Sequence, residues 1–382
     1  MSLNKKIINA VELERDNIFN FLKNIVNINS FTSNFNGIEK VCKIITDISS
    51  YFGINFEKYF PNENSKRFHL IYNKRLKKNF YGIIGHIDTV HSPEDNFQSL
   101  YRENSKLIGP GVNDMKGGIV AALYSIFILS TLNKRQLPIK IIFNTDEEVG
   151  SKTSKDLIVS EMKNAKAVFV FEAGRLPGNK IISNRKGAME LKIMCYGKSS
   201  HAGESPDSGI NSIVELCDKI TELFKLNNII SELSLQPGVI TGGTARNVIP
   251  EKSEATIDIR FGKKSDKETI ENLIKEKLSK KIFPQSKIEF NLNAHRMPME
   301  KSKSSEKFIQ KYIEIGKKLG YNITTTDSGG VSDANLLSEY CPVLDGLGPL
   351  GEFCHTKKEY IIAESLIDRI KIFTCFLSGL TN

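Results

Sequence analysis

Three short apolar runs, each ending in a cluster of imidazole or carboxylate side chains, constrain this chain more than any other feature. Residues 80–84 lead into Gly85-His86-Ile87-Asp88-Thr89-Val90, residues 139–143 into Asn144-Thr145-Asp146-Glu147-Glu148-Val149-Gly150, and residues 167–171 into Glu172. Runs this short and this continuously apolar predict strands buried on both faces, as in a parallel sheet covered by helices. Functional side chains gather where such strands end, because the rigid sheet aims them into one crevice. Residues two apart on a strand face the same way, so His86 and Asp88 can share a site. Between these clusters lies Gly109-Pro110-Gly111-Val112-Asn113-Asp114, a glycine-rich turn that can bend a carboxylate inward. Alone, Asp114 would read as the N-cap of a helix beginning at Met115. Adjacent Glu147 and Glu148 cannot both stay ionised cheaply unless cations share them. Imidazole with carboxylate is the donor set of hard-to-borderline divalent metals, zinc being the commonest at mixed nitrogen and oxygen sites.

The order of elements predicts two domains. Apolar periodicity places an opening amphipathic helix over 11–28, a second over 38–52 and an almost wholly apolar helix over 115–132. Alternation of these with the strands at 68–72, 80–84, 139–143 and 167–171 argues for an α/β fold with a mainly parallel sheet flanked by helices. After Ser183 the pattern changes to strand 188–196, helix 211–224, strands 233–241 and 255–260, helix 267–278 and strand 287–292. That βαββαβ order is a complete small ferredoxin-like unit. A helix over 307–319, a strand over 322–326 and a closing helix over 365–377 return to the first style. The expectation is a discontinuous catalytic domain, 1–186 with 297–382, interrupted by an inserted domain at 187–296.

A chain of 382 residues suits two such domains, and 40% hydrophobic with 25% charged residues is ordinary for a globular protein. The net charge of +9 is spread over lysines in helices and loops, with no recognition motif for nucleic acid, so a solvated lysine-rich surface is expected and nucleic acid is not a partner. The stretch 1–21 mixes charged with apolar residues and lacks the core of a secretion signal. No long uninterrupted apolar run argues for a membrane span. The six scattered cysteines show no paired spacing, and a reduced, cytoplasmic setting is expected.

The metal-type clusters continue with Phe171-Glu172-Ala173-Gly174, Ser200-His201-Ala202-Gly203, Ala245-Arg246-Asn247-Val248-Ile249-Pro250, Asp258-Ile259-Arg260, Gly329-Gly330-Val331-Ser332-Asp333 and Gly351-Glu352-Phe353-Cys354-His355. Taken in this order, the whole set resembles the M20 metallopeptidases. Those include acetylornithine deacetylase and succinyl-diaminopimelate desuccinylase, and the nearest likeness is to bacterial glutamate carboxypeptidase. The resemblance implies a dinuclear centre holding two divalent ions, zinc by expectation with Co2+ or Mn2+ as alternatives. Its ligands would be His86 and Glu172 on the first ion, Glu148 and His355 on the second, and Asp114 between them. Glu147 would be the general base and acid, Asp88 would orient or tune the site, and His201 in the inserted lid would stabilise the oxyanion. Asn247 and Arg260 match substrate-binding positions, Arg296 more weakly, and the amide of Gly330 suits a substrate carboxylate. The implied reaction is cleavage of an amide next to a free carboxylate in a small peptide, with release of an acidic residue such as glutamate. Deacylation of an N-acyl amino acid is the same cut on another substrate. A relative that binds metal without catalysis, serving as an assembly module, is the alternative from another class. The resemblance also implies a homodimer formed through the inserted domain. Cys354, His69, His91 and His295 are read as ordinary residues, and Asp146 as a solvated or supporting acid.

Overall fold

The computed structural model describes residues 2–132 and 137–380. The chain divides into two compact units: Met1–Asn184 with Lys301–Asp327 and Ser332–Asn382, and Arg185–Glu300 with Ser328–Val331.

The first unit is built on a six-stranded sheet. Its strands run, edge to edge, Glu57–Tyr59, His69–Tyr72, Ile139–Asn144, Tyr81–His86, Ala167–Val170 and Val343–Leu344. The last four pair in parallel, and the first two join by antiparallel pairing. Every residue of Tyr81–His86, Ile139–Asn144 and Ala167–Val170 is buried, which is why these strands appear in the sequence as unbroken apolar runs. Because the three are parallel neighbours, His86, the Asp146–Glu148 turn and Glu172 emerge along one edge of the sheet.

The Gly117–Leu132 helix is the central cover of this sheet and packs against the Ala363–Ser378 helix. Gly118 starts it in the closest of quarters, since a Cβ there would lie 2.0 Å from the Phe171 carbonyl oxygen. Together with the turn before it, the segment Val112–Leu132 is long and apolar enough to cross a membrane by length and composition alone. Its most apolar window is 72% buried within the protein, so the same apolarity is satisfied by the core.

The opening helix expected over 11–28 is two helices, Leu3–Leu13 and Arg15–Val26. Glu14 leaves helical geometry (φ −89°, ψ 1°), and the break resets the phase. Each half then buries its own stripe, Ile7 and Val11 in the first and Ile18, Phe21, Leu22 and Ile25 in the second. The 322–326 strand is Ile323–Ser328; it pairs with Asn179–Arg185, a strand the sequence reading did not anticipate.

The second unit has the order strand Gly187–Tyr196, helix Ser212–Phe224, strands Ser234–Gly242 and Lys252–Phe261, helix Lys267–Ser279 and strand Lys287–Arg296. All pairings in its four-stranded sheet are antiparallel. Burial alternates along Gly187–Tyr196, so one face carries Met189, Leu191 and Ile193 onto Leu216, Leu223, Ile270 and Ile274 of the two helices. Asn211 caps the first helix by accepting from the Ile213 and Val214 amides. Ser234–Gly242 is an edge strand that exposes Val239 and Ile240.

Candidate metal centre

Among the described residues, two groups of three side chains have the composition and spacing to hold a metal ion. His86, Asp114 and Glu172 form one; Asp114, Glu148 and His355 form the other; within each, the donor atoms lie within 4.8 Å of one another. Asp114 belongs to both. One of its oxygens lies 3.0 Å from His86 Nε2 and the other 3.3 Å from His355 Nε2. It does not serve as an N-cap, because the following helix begins only at Gly117 and the carboxylate is turned to the two histidines. The turn that aims it depends on Gly111, which has φ +70° and where a Cβ would meet Thr89 Cγ2 at 2.4 Å. The Asp114–Met115 peptide bond is cis.

His86 ends the central strand, fully buried. Its Nδ1 lies 2.9 Å from the Asp88 carbonyl oxygen, and that contact fixes the ring so that Nε2 faces Asp114 and Glu172 at 3.0 and 3.6 Å. His355 is half exposed, at 54%, and brings Nε2 to 3.2 Å from Glu148. Glu148 Oε1 is buried and has no hydrogen-bond partner. An orphaned carboxylate oxygen beside an imidazole and a second carboxylate fits a cation.

The charges tell the same story. Burial opposes a charge on His86, yet its bond to Asp114 and the nearby carboxylates of Asp88 and Glu172 lift its pKa well above the imidazole range. His355, bonded to Asp114 and Glu148, is raised to about 11. Burial and the Asp114 charge push Glu148 up to about 7, while the two histidines outweigh burial and hold Asp114 far below the carboxylate range. Protons thus occupy the positions from which divalent ions would draw the same lone pairs.

Glu147 belongs to neither group. Burial, with the charges of Asp333, Glu172 and Glu148 outweighing His86, raises its pKa well above the carboxylate range. The Asp88 carboxylate does not reach for His86 with a hydrogen bond, its nearest oxygen standing 3.6 Å from Nδ1. Instead it accepts from the Glu147 and Glu148 amides at 3.1 and 3.2 Å and from the Thr32 hydroxyl at 2.8 Å. Its observed work is to hold the acidic turn. Asp146 is buried, not solvated, accepting from the Thr153 amide and hydroxyl and from the Ser154 hydroxyl. His69 is also buried, its Nδ1 accepting from the Thr145 amide. Asp333 is buried and takes hydrogen bonds from Asn144 and Ser151, the latter on the far side of the same turn.

The remaining residues singled out from the sequence lie in the second unit. His201 is exposed, and the Gly203 and Glu204 amides donate to its Nδ1 at 3.2 and 3.1 Å. With Nδ1 accepting, the neutral ring carries its proton on Nε2 and presents it as a donor. His201 pairs with Val248, and the Ala202 amide donates to the Asn247 carbonyl, so the His201 and Asn247 segments are adjacent. Arg260 is engaged by its own strand, its Nε and Nη2 donating to both oxygens of Asp258. Arg296 is buried. The carbonyl of Gly330 accepts from Arg185 Nη1 at 3.2 Å, and its amide donates to the Ser328 hydroxyl.

One residue at the first unit's site was passed over in the sequence. Glu359 is fully buried and takes hydrogen bonds from the amides of Gly111, Asn113 and Asp114. Its fourth neighbour is His91, whose Nε2 lies 2.8 Å from the same carboxylate. The only signal available was an acidic residue four positions after His355, just before an apolar strand.

Comparison with known proteins places this geometry. The chain is 28% identical over 293 residues to carboxypeptidase G2 of Pseudomonas sp. (strain RS-16), covering 75% of this chain and 70% of that protein. It is 24% identical to succinyl-diaminopimelate desuccinylase of Rickettsia bellii, covering 95% of this chain and 96% of that one. The crystal structure of aminopeptidase PepT from Bacillus cereus shares the fold, with a TM-score of 0.79 at 19% identity over 96% of this chain and 99% of that chain. The model of peptidase family M20/M25/M40 matches residues 82–379, the span that contains both groups of candidate metal ligands. With that match over most of its length, and with imidazoles and carboxylates assembled at the ends of parallel strands, the chain belongs to peptidase family M20/M25/M40, a family of metal-dependent hydrolases.

Proposed function

We propose that this protein is a dinuclear zinc hydrolase that cleaves an amide bond next to a free carboxylate, of the glutamate carboxypeptidase kind. The observation that carries the reading is Asp114, whose two oxygens face two separate imidazole-carboxylate groups. In this reading His86 and Glu172 complete one ion, and Glu148 and His355 the other. Two divalent cations held by these residues would supply polarisation of the scissile carbonyl and a lowered pKa for the attacking water.

The chain's own residues do the rest. Glu147, outside both groups and raised in pKa, accepts the proton of the attacking water and passes it to the departing nitrogen. Asp88 keeps Glu147 in place by holding its amide. His201 donates from Nε2 to the oxyanion. Asn247 and Arg260 grip the substrate carboxylate, Arg260 by exchanging its Asp258 partner for that of the substrate. Arg296 and the Gly330 amide, the latter by exchanging the Ser328 hydroxyl for the substrate, also bind substrate in this reading. The first unit is the catalytic domain, and the second is a lid and dimerisation domain. Its exposed edge strand Ser234–Gly242, with Val239 and Ile240 bare, supports a homodimer, since such an edge invites pairing.

A second reading, deacylation of an N-acyl amino acid, is favoured by the desuccinylase match, which spans 95% of the chain against 75% for the carboxypeptidase. Turnover of the zinc-loaded protein on a panel of C-terminal glutamate dipeptides and N-acyl amino acids tests the choice. The favoured reading predicts higher kcat/KM on the dipeptides. Preference for acyl amino acids would replace it with the second reading, and no cleavage of either class would refute both.

A further inference from the structure

We propose that Glu359, with His91 behind it, is the brace that positions Asp114 for both metal ions; this rests on the reading of Asp114 as their shared ligand. The carboxylate of Glu359 is wholly buried and its acceptor capacity is fully used. Oε1 accepts from the Asn113 amide at 2.8 Å and the Asp114 amide at 2.9 Å. Oε2 accepts from the Gly111 amide at 2.9 Å and lies 2.8 Å from His91 Nε2. Four donors on two oxygens match the four lone-pair directions of a carboxylate. A buried carboxylate is otherwise costly, and here hydrogen bonds on every side offset the desolvation. Burial lowers the pKa of nearby Lys116 to about 7 against the pull of the Glu359 charge, and its Nζ donates to the Ile28 carbonyl at 2.9 Å.

The turn needs such a partner. Asp114 and Met115 leave helical geometry, so the amides of Gly111, Asn113 and Asp114 cannot enter the ladder of the helix that follows. Glu359 supplies the missing acceptors from 245 to 248 positions away. The same short segment carries His355 four residues earlier, and the Tyr360–Ile362 strand after it pairs with Lys106–Ile108 just ahead of the turn. One stretch of chain therefore fixes both a terminal ligand and the shared one. Asp114 and His355 are kept in register by protein contacts rather than by metal alone. Glu359 and His91 touch neither group's donor atoms; they are positioning residues.

A residue with this task controls both sites together, because the ligand it positions is common to them. The test uses full-length protein stripped of metal, titrated with Zn2+ against a chromophoric chelator, alongside the thermal midpoint of each apoprotein. Glu359→Gln keeps the size but turns an NH2 group toward donors. It should weaken both Zn2+ sites by ~10–100-fold, the usual effect of losing an outer partner of a ligand. His91→Phe, which removes one donor and leaves the carboxylate, should weaken both sites by less. A lower apoprotein midpoint with unchanged Zn2+ affinity would make Glu359 merely stabilising, and loss at one site alone would equally overturn the proposal. Should Glu359→Gln fail to fold, His91→Phe decides by the same affinities. A parent protein that takes up fewer than two Zn2+ ions would instead refute the dinuclear reading itself.

Discussion

Glu147 and Glu148 are neighbours in sequence with opposite assignments, and exchanging each carboxylate for its amide separates them. The Glu147 amide is held by Asp88 Oδ1 at 3.1 Å, a backbone contact that Glu147→Gln leaves intact. Its side chain is in neither ligand group, so metal content should stay near that of the parent. The amide cannot take a proton, and loss of a general base is worth ~10²–10⁴ in rate. At roughly 1.4 kcal/mol per factor of ten, that raises the barrier by about 3–5 kcal/mol. Glu148→Gln should behave differently. One of its oxygens faces His355 at 3.2 Å and the other is buried without a hydrogen-bond partner, so losing the charge should weaken the Asp114–Glu148–His355 site first. The assay pairs kcat with metal content after gel filtration for both variants. Metal loss in Glu147→Gln with retention in Glu148→Gln would show that the two roles are reversed and refute the reasoning.

Two further outcomes follow from the same geometry. His201→Ala should lower kcat by ~10²–10³, the usual cost of one oxyanion donor, with zinc content and apoprotein melting unchanged; a loss confined to KM would reassign His201 to binding. Zinc uptake at pH 7 should release protons, about one of them from His355, since its pKa of about 11 stands well above that pH in the metal-free protein and metal binds only the neutral ring. Calorimetry in buffers of differing ionisation enthalpy reads this directly, and uptake without proton release would place the ions elsewhere.

How far the fold could be read from the sequence depended on burial. Tyr81–His86, Ile139–Asn144 and Ala167–Val170 are covered on both faces, so their apolar runs are unbroken and the clusters after them stood out. The alternating second unit was equally legible, because its sheet has one buried face. Short edge strands such as Glu57–Tyr59 carry no such pattern, since exposure removes the apolar signal. The break at Glu14 was hidden because the two helices bury stripes that look continuous when the phase reset is ignored. At the site, the side chains with metal-ligand chemistry were visible as local clusters. Apart from Asp88, their supports were not. Glu359 meets the Gly111–Asp114 turn across more than two hundred positions, and nothing near it in sequence distinguishes a buried acceptor from a solvated glutamate. Asp146 likewise looked solvated beside two other acids, and only Thr153 and Ser154 folding back over it bury the charge.

The central claim is that two cations share Asp114. Crystals of the zinc-loaded protein, with anomalous diffraction collected at and below the zinc edge, test it without reference to substrate. The account predicts two anomalous peaks per chain, about 3.5–4 Å apart, one beside His86 and Glu172 and the other beside Glu148 and His355, with the Asp114 carboxylate between them. A single peak, or two that do not both adjoin Asp114, would contradict it.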